Sequence, residues 1–100
     1  MADLVSQGDP IDRSGTITAG GTAQALLTAD ESRTSFFLQN NSAGELRVRF
    51  TRAGTAATST TGINITAGST LALEPSDRFL KLAASIWGAT TGQAFVATEG

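Results

Sequence analysis

The sequence predicts an all-β domain: a small antiparallel β-sandwich or jelly-roll-like barrel of about eight short strands, with an N-terminal arm. Two observations lead to this prediction. From residue 14 onward, short runs of β-branched and apolar residues are separated by turns rich in Gly, Ser and Thr. No long stretch keeps a helical period, because the alanines are interleaved with Gly, Thr and Ser. At 100 residues, the chain fits a single domain.

The clearest predicted strand covers residues 45–51, where apolar and polar side chains alternate strictly. Its apolar face consists of Leu46, Val48 and Phe50. Arg47 and Arg49 share the opposite face. Further strands are predicted at 16–18, 22–27, 35–39, 62–66, 70–74, 83–87 and 93–98.

The segments between these strands are predicted turns and loops. Residues 40–44 form a turn, because Asn and Gly tolerate a positive φ angle. Residues 52–61 form a loop with almost no anchoring side chain. Residues 77–82 fit either one helical turn or a strand. Residues 17–22 and 65–70 are similar in sequence, and we interpret them as two similar hairpins.

Residues 1–13 are predicted to form the N-terminal arm, and residues 14–100 the single sandwich domain. Gly8, Asp9 and Pro10 oppose a helix in the arm, because Pro10 lacks a donor and restricts the residue before it. The arm is either a frayed terminus or an extended segment that lies over a neighbouring subunit.

The residue types that are missing from the sequence argue against catalysis. The chain has no His, Cys or Tyr, so Ser-His-Asp and Cys-His catalytic arrangements cannot form. No phosphate-binding glycine loop is present. A carboxylate pair of the glycosidase kind and a calcium site stay open, although no dense Asp spacing occurs. We expect a protein that is not an enzyme, with no cofactor, no metal and no small-molecule substrate.

Charge and hydropathy narrow the partners further. The net charge of −2 disfavours nucleic acid as a ligand, because such domains usually carry a basic excess. The N-terminal residues lack the basic and apolar regions of a signal peptide, and no run approaches the length of a membrane helix. We therefore expect synthesis in the cytoplasm and no membrane partner.

Six residues are candidates for a protein interface: Phe36, Phe37, Arg47, Arg49, Arg52 and Trp87. Phe36 and Phe37 are adjacent, so they point to opposite faces of one strand, and a second subunit, a loop or the arm must cover the face away from the core. The three arginines either dock on an acidic protein surface or form a solvated face that blunts a strand edge. Trp87 either belongs to the core or its margin, or anchors an interface or a sugar.

Several segments together resemble small virion proteins of tailed bacteriophages. They are residues 15–24 with the hydrophobic run that follows, residues 37–42 with the turn and alternating strand that follow, and residues 52–57, 63–68 and 88–93. The resemblance covers residues 15–100. It implies a β-sandwich or jelly-roll-like domain in the phage particle, of the capsid decoration or cement type.

From the resemblance and the residues we expect a structural virion protein that stabilises the head by bridging capsid subunits. Its partners would be the major capsid protein or other virion proteins, and it would form a homodimer or homotrimer. One alternative is a head-fibre, tail or head–tail component, including a receptor- or carbohydrate-binding module with exposed aromatics near Trp87. Another is a small enzyme with two convergent carboxylates.

Overall fold

The computed structural model describes residues 11–52 and 55–100, which contain nine antiparallel strands and confirm the all-β prediction. The strands are β1 (Ile11–Asp12), β2 (Gly15–Thr16), β3 (Gln24–Leu27), β4 (Phe36–Asn40), β5 (Leu46–Thr51), β6 (Ile63–Ile65), β7 (Thr70–Leu73), β8 (Ala83–Gly88) and β9 (Ala94–Glu99). None of the described residues forms a helix long and apolar enough to cross a membrane.

The strands form two sheets with a nested pairing. Sheet A runs β1-β9-β4-β7, and β2 also pairs with β9, whereas sheet B runs β3-β8-β5-β6. The pairs β5·β6, β4·β7, β3·β8 and β2·β9 therefore enclose one another along the chain. A single long hairpin that rolls up into two sheets in this way is a jelly roll, which agrees with the predicted small β-sandwich or jelly-roll-like barrel.

The core lies between the two sheets and is built by alternation. In β5 every second residue is buried, as its period-2 pattern predicted. Across the gap, the Phe36 ring of sheet A meets the Phe50 ring of sheet B edge to face, with centroids 6.1 Å apart. Burying a side chain of this size stabilises the fold by roughly 1.5–3 kcal/mol relative to leaving it exposed.

The two similar segments, 17–22 and 65–70, are crossovers between the sheets, so their interpretation as hairpins is wrong. The first connects β2 of sheet A to β3 of sheet B, and the second connects β6 of sheet B to β7 of sheet A. In each, an Ile side chain is buried in the core, and a glycine turns the chain with φ near +80°. Their shared pattern therefore encodes a change of sheet.

The predicted turn at 40–44 is present, but a positive φ does not make it. Among the described residues no non-glycine has positive φ, and Gly44 does not have it either. The buried Asn40 side chain holds the turn instead: its Nδ2 donates to the carbonyls of Gly44 and Ile65, both at 2.8 Å. Its Oδ1 accepts from the Ser42 amide at 2.9 Å. The ambiguous segment 77–82 is a series of turns.

The N-terminal part of the sandwich begins earlier than predicted. Residues 1–10 of the predicted arm lie outside the described residues. The last residues assigned to the arm are paired with β9: Ile11 lies opposite Glu99, and the Arg13 amide donates to the Ala97 carbonyl at 2.7 Å. These residues therefore belong to the folded domain.

A buried arginine joins two connections of the fold. Arg33 lies in the β3–β4 connection and is only 2% exposed. Its Nη1 donates to the carbonyl oxygens of Leu80 (2.7 Å) and Leu82 (3.1 Å), which lie at the end of the β7–β8 connection. Its Nη2 donates to the carbonyl of Thr28, just after β3. These bonds satisfy carbonyls that have no strand partner there.

Glu99, near the end of β9, neutralises this buried arginine. Its Oε1 accepts from Arg33 Nε at 2.8 Å, and its Oε2 accepts from Arg13 Nε. The Glu99 side chain is 4% exposed, so both of its oxygens are satisfied within the protein. Burial alone would raise the pKa of the Glu99 carboxyl. The hydrogen bonds and positive charges of the two arginines together outweigh burial, so the pKa of the Glu99 carboxyl lies below its ordinary value of 4.5.

We expect Arg33→Met to lower the free energy of unfolding by about 3–5 kcal/mol, because it leaves a buried carboxylate short of a partner. The double variant Arg33→Met/Glu99→Leu should recover part of this loss, since it removes the buried carboxylate but leaves the carbonyls of Thr28, Leu80 and Leu82 without their donor. Urea denaturation followed by circular dichroism measures both. Arg78→Met, which removes an exposed arginine, is the control and should change stability by less than about 0.5 kcal/mol. A single variant as stable as this control would contradict the role given to Arg33.

Acid should destabilise the protein in a definite pH range. Because the folded-state pKa of Glu99 is below 4.5, the unfolded chain takes up the proton first, and stability falls as pH decreases through 4.5 and below. Hydrogen bonds from Ser14 and Ser32 also lower the pKa values of Asp12 and Asp30, which act in the same direction. Unfolding free energies measured from pH 7 to 3 should show a plateau above this range. The double variant should show a shallower acid-induced decline, and an equal decline would contradict the assignment to Glu99.

Candidate protein-binding faces

The outer face of sheet A is nearly free of charge. Phe37 of β4 lies opposite Ala72 of β7 and Thr98 of β9, and Val96 of β9 lies opposite Gln39. We call Phe37, Gln39, Ala72, Val96 and Thr98 the sheet A face. Phe37 and Val96 are each 38% exposed. Asp12 of β1 lies opposite Thr98, which places this charged residue at the margin of the face.

The structure separates the two adjacent phenylalanines, as expected from alternation. Phe36 is 2% exposed and belongs to the core, where it contacts Phe50. Its side chain is therefore not available to a partner of the folded domain, and the candidate interface at this strand is reduced to Phe37. The same alternation that buries Phe36 places Phe37 at the centre of the sheet A face, because β4 lies between β7 and β9.

The outer face of sheet B carries the basic residues. Arg47 of β5 lies opposite Trp87 of β8 on one side and Asn64 of β6 on the other, and Arg49 lies opposite Ser85. We call these five residues the sheet B face. Strand β5 has a neighbour on each side, so the interpretation that its arginines blunt a strand edge is wrong.

The Arg47 guanidinium is only loosely paired. Its side chain is 20% exposed, and its Nη2 lies 3.6 Å from Glu45 Oε2, beyond ordinary hydrogen-bond length. Its Nε is buried and has no hydrogen-bond partner among the described residues. A buried donor without an acceptor carries a desolvation cost, so Arg47 is under-paired within the described residues.

A loop covers one end of the sheet B face. Ser85 Oγ accepts from the Ala57 amide at 2.8 Å and donates to the Thr55 carbonyl at 3.1 Å. Ala57 is 2% exposed, so the segment predicted as an unanchored loop is partly fixed on the sheet. Arg49 Nη1 makes a long contact of 3.4 Å to the Ala56 carbonyl. Arg52 directly follows β5 and is exposed at the start of this loop.

Trp87 is partly exposed on the sheet B face, outside the core. Phe95, the other aromatic near the C-terminus, is 5% exposed and belongs to the core. Trp87 is therefore the aromatic side chain that the described part of the sheet B face presents. A sugar-binding platform usually needs more than one such ring.

Sequence reasoning missed an apolar cavity beside β6. It has a volume of about 150 Å³ and is lined by Val48, Arg49, Phe50, Gly62, Ile63 and Phe79. Phe79 is 39% exposed and stacks on Phe50 with centroids 6.0 Å apart. Phe79 lies in residues 77–82, whose pattern fits either a helical turn or a strand, so the sequence did not predict its contact with Phe50.

The acidic residues do not converge on a metal site. Within residues 11–52 and 55–100, no three His, Cys, Asp or Glu side chains lie close enough together to hold a metal ion. Both oxygens of Glu99 are occupied by arginines.

Comparison with known proteins finds no family model, no curated protein and no solved structure that matches this chain.

Proposed function

We propose that this chain is a structural virion protein of a tailed phage, a capsid decoration or cement protein that stabilises the head by bridging capsid subunits. The observation that carries the proposal is the sheet A face. Its five residues are uncharged, and it exposes Phe37 and Val96 at 38% each.

Such a face suits a protein contact for a physical reason. Removing apolar area from water favours binding by roughly 25 cal/mol per Å². Burying an unpaired charge costs free energy and weakens binding. The five residues of the sheet A face carry no charge, and Asp12 lies at its margin opposite Thr98. A partner can therefore cover Phe37 and its neighbours without burying an unpaired charge.

The same face supports self-association as a homodimer or homotrimer. A closed dimer uses the same surface patch on both subunits, so the patch must be compatible with itself. Phe37, Gln39, Ala72, Val96 and Thr98 carry no charge that would repel its own copy. A bridging protein present in many copies gains further from avidity, because each contact raises the effective concentration of the next.

The fold agrees with this role by analogy. Jelly rolls form viral capsid domains, but also lectins and other binding modules, so the fold alone does not select among them. The segments that resemble phage virion proteins favour the particle. The major capsid protein or another virion protein is accordingly the partner we propose.

A head-fibre, tail or head–tail component is the second candidate. The partly exposed Trp87 favours its receptor- or carbohydrate-binding form, because a tryptophan face can stack on a sugar ring. Burial of Phe95 weakens this form, since it removes the second aromatic that a groove would need.

The proposal is tested by mixing the purified protein with empty capsids assembled without it. We expect binding in cosedimentation and a higher temperature of capsid disruption. Phe37→Glu and Val96→Glu should each reduce binding at least about tenfold, because each would bury an unpaired carboxylate in the interface. In sedimentation velocity, the same variants should shift the free protein toward monomer.

The matched control is Phe79→Ser, which changes an equally exposed phenylalanine away from the sheet A face. It should bind and protect capsids like the original protein, provided that circular dichroism shows all three variants folded. No binding and no protection by the original protein would overturn the capsid role and favour the fibre or tail alternative. Equal loss in the Phe79 variant would contradict the placement of the contact.

A further inference from the structure

We propose that the sheet B face binds a carboxylate side chain from an acidic segment of a partner protein, with Arg47 as the principal contact. This inference rests on the proposed function, because it names the chemistry of a partner surface that an assembly protein would bind. It concerns a different face from the one that carries that function.

The charges on this face select an anionic group. The residues that β8 and β6 present beside Arg47 and Arg49 are Ser85, Trp87 and Asn64, and none of them is charged. Glu45, just before β5, places its carboxylate 3.6 Å from Arg47 Nη2. The chain as a whole has a net charge of −2, so this is a local concentration of positive charge on an acidic molecule.

The planar guanidinium of Arg47 favours a carboxylate over an anion without two oxygens in a plane. An arginine that binds a carboxylate well uses two parallel N–H groups and places both oxygens within about 3 Å. Glu45 reaches Nη2 at 3.6 Å, and Nε has no acceptor among the described residues. The Glu45 side chain is 39% exposed, so it can move aside and let an external carboxylate pair with the guanidinium end of Arg47, whose side chain is 20% exposed.

Trp87 gives the site its apolar wall. It lies directly across from Arg47 in the strand register and is partly exposed. Asp and Glu side chains carry methylene groups, which can pack on an indole face while the carboxylate meets the guanidinium. Asn64, on the other side of Arg47, adds an amide that can donate a hydrogen bond.

The size and charge of the site favour protein over nucleic acid. Binding to a nucleic acid depends on neutralising a series of phosphates, which needs an extended basic surface. Here the loop at Thr55–Ala57 covers the Ser85 end of the face, and Arg52 at the start of that loop is the nearest further basic residue along the chain. A site this short fits one or two carboxylates of an acidic segment.

Trp87 also supplies the measurement, because the chain has one Trp and no Tyr. We would titrate the full chain with a hexaglutamate peptide at low salt and follow Trp87 fluorescence, with calorimetry for the affinities of variants. We expect a saturable fluorescence change. Arg47→Met should weaken binding about tenfold, and Arg47→Lys should weaken it as well, because lysine keeps the charge but loses the two-pronged geometry.

Two further variants make the test specific. Glu45→Gln should tighten binding several-fold, because it removes the carboxylate that competes for Arg47. Arg78→Met removes an equal charge from the β7–β8 connection and should leave the affinity within about twofold. Denaturation midpoints confirm that each variant is folded before its affinity is compared.

Three results would overturn the proposal: no peptide binding by fluorescence and calorimetry, equal weakening by Arg78→Met, or binding of hexathymidylate as tight as that of hexaglutamate. The last would indicate a site for polyanions in general. These results are independent of the capsid assay. Capsid binding without peptide binding removes only the carboxylate site, whereas peptide binding without capsid binding removes only the capsid role.

Discussion

The buried ion pair between Arg33 and Glu99 is the interaction on which the arrangement of this sandwich depends. It links the connection after β3, the end of the β7–β8 connection and the last strand, and Arg13 extends it to the N-terminal strands. A buried pair of this kind contributes little net free energy compared with an apolar replacement. Arrangements that separate Arg33 from Glu99 are disfavoured, because they leave a charge buried without its partner.

That arrangement explains why the two outer faces differ. Nested pairing places β4 inside sheet A and β5 inside sheet B, so the central residues of both faces come from strands with a neighbour on each side. The strands at the margins are short: β1 and β2 have two residues each, β6 has three, and β3 and β7 have four. Short margins limit pairing between edges of different molecules, which leaves the faces as the surfaces available for contact.

Much of the fold could be predicted from local pattern, and the remainder depends on distance along the chain. Alternation over 45–51 predicted both the strand and the shared side of Arg47 and Arg49. No local pattern could reveal that Arg33 pairs with a glutamate 66 residues away, or that residues 65–70 change sheets. The contact of Ala57 with Ser85 was equally hidden, because small residues carry no periodic signal.

The sheet A face and the sheet B face lie on opposite sides of the sandwich, so one chain presents two separate surfaces to partners. Packed sheets lie about 10 Å apart, so the sheet A face and the sheet B face are on opposite sides of a thin layer. One face is apolar and nearly uncharged, and the other is basic, so they favour partners of different chemistry. A protein that uses both faces at once connects two surfaces without a conformational change. Each of the two contacts can be weak when both are made together, because the first contact raises the effective concentration for the second.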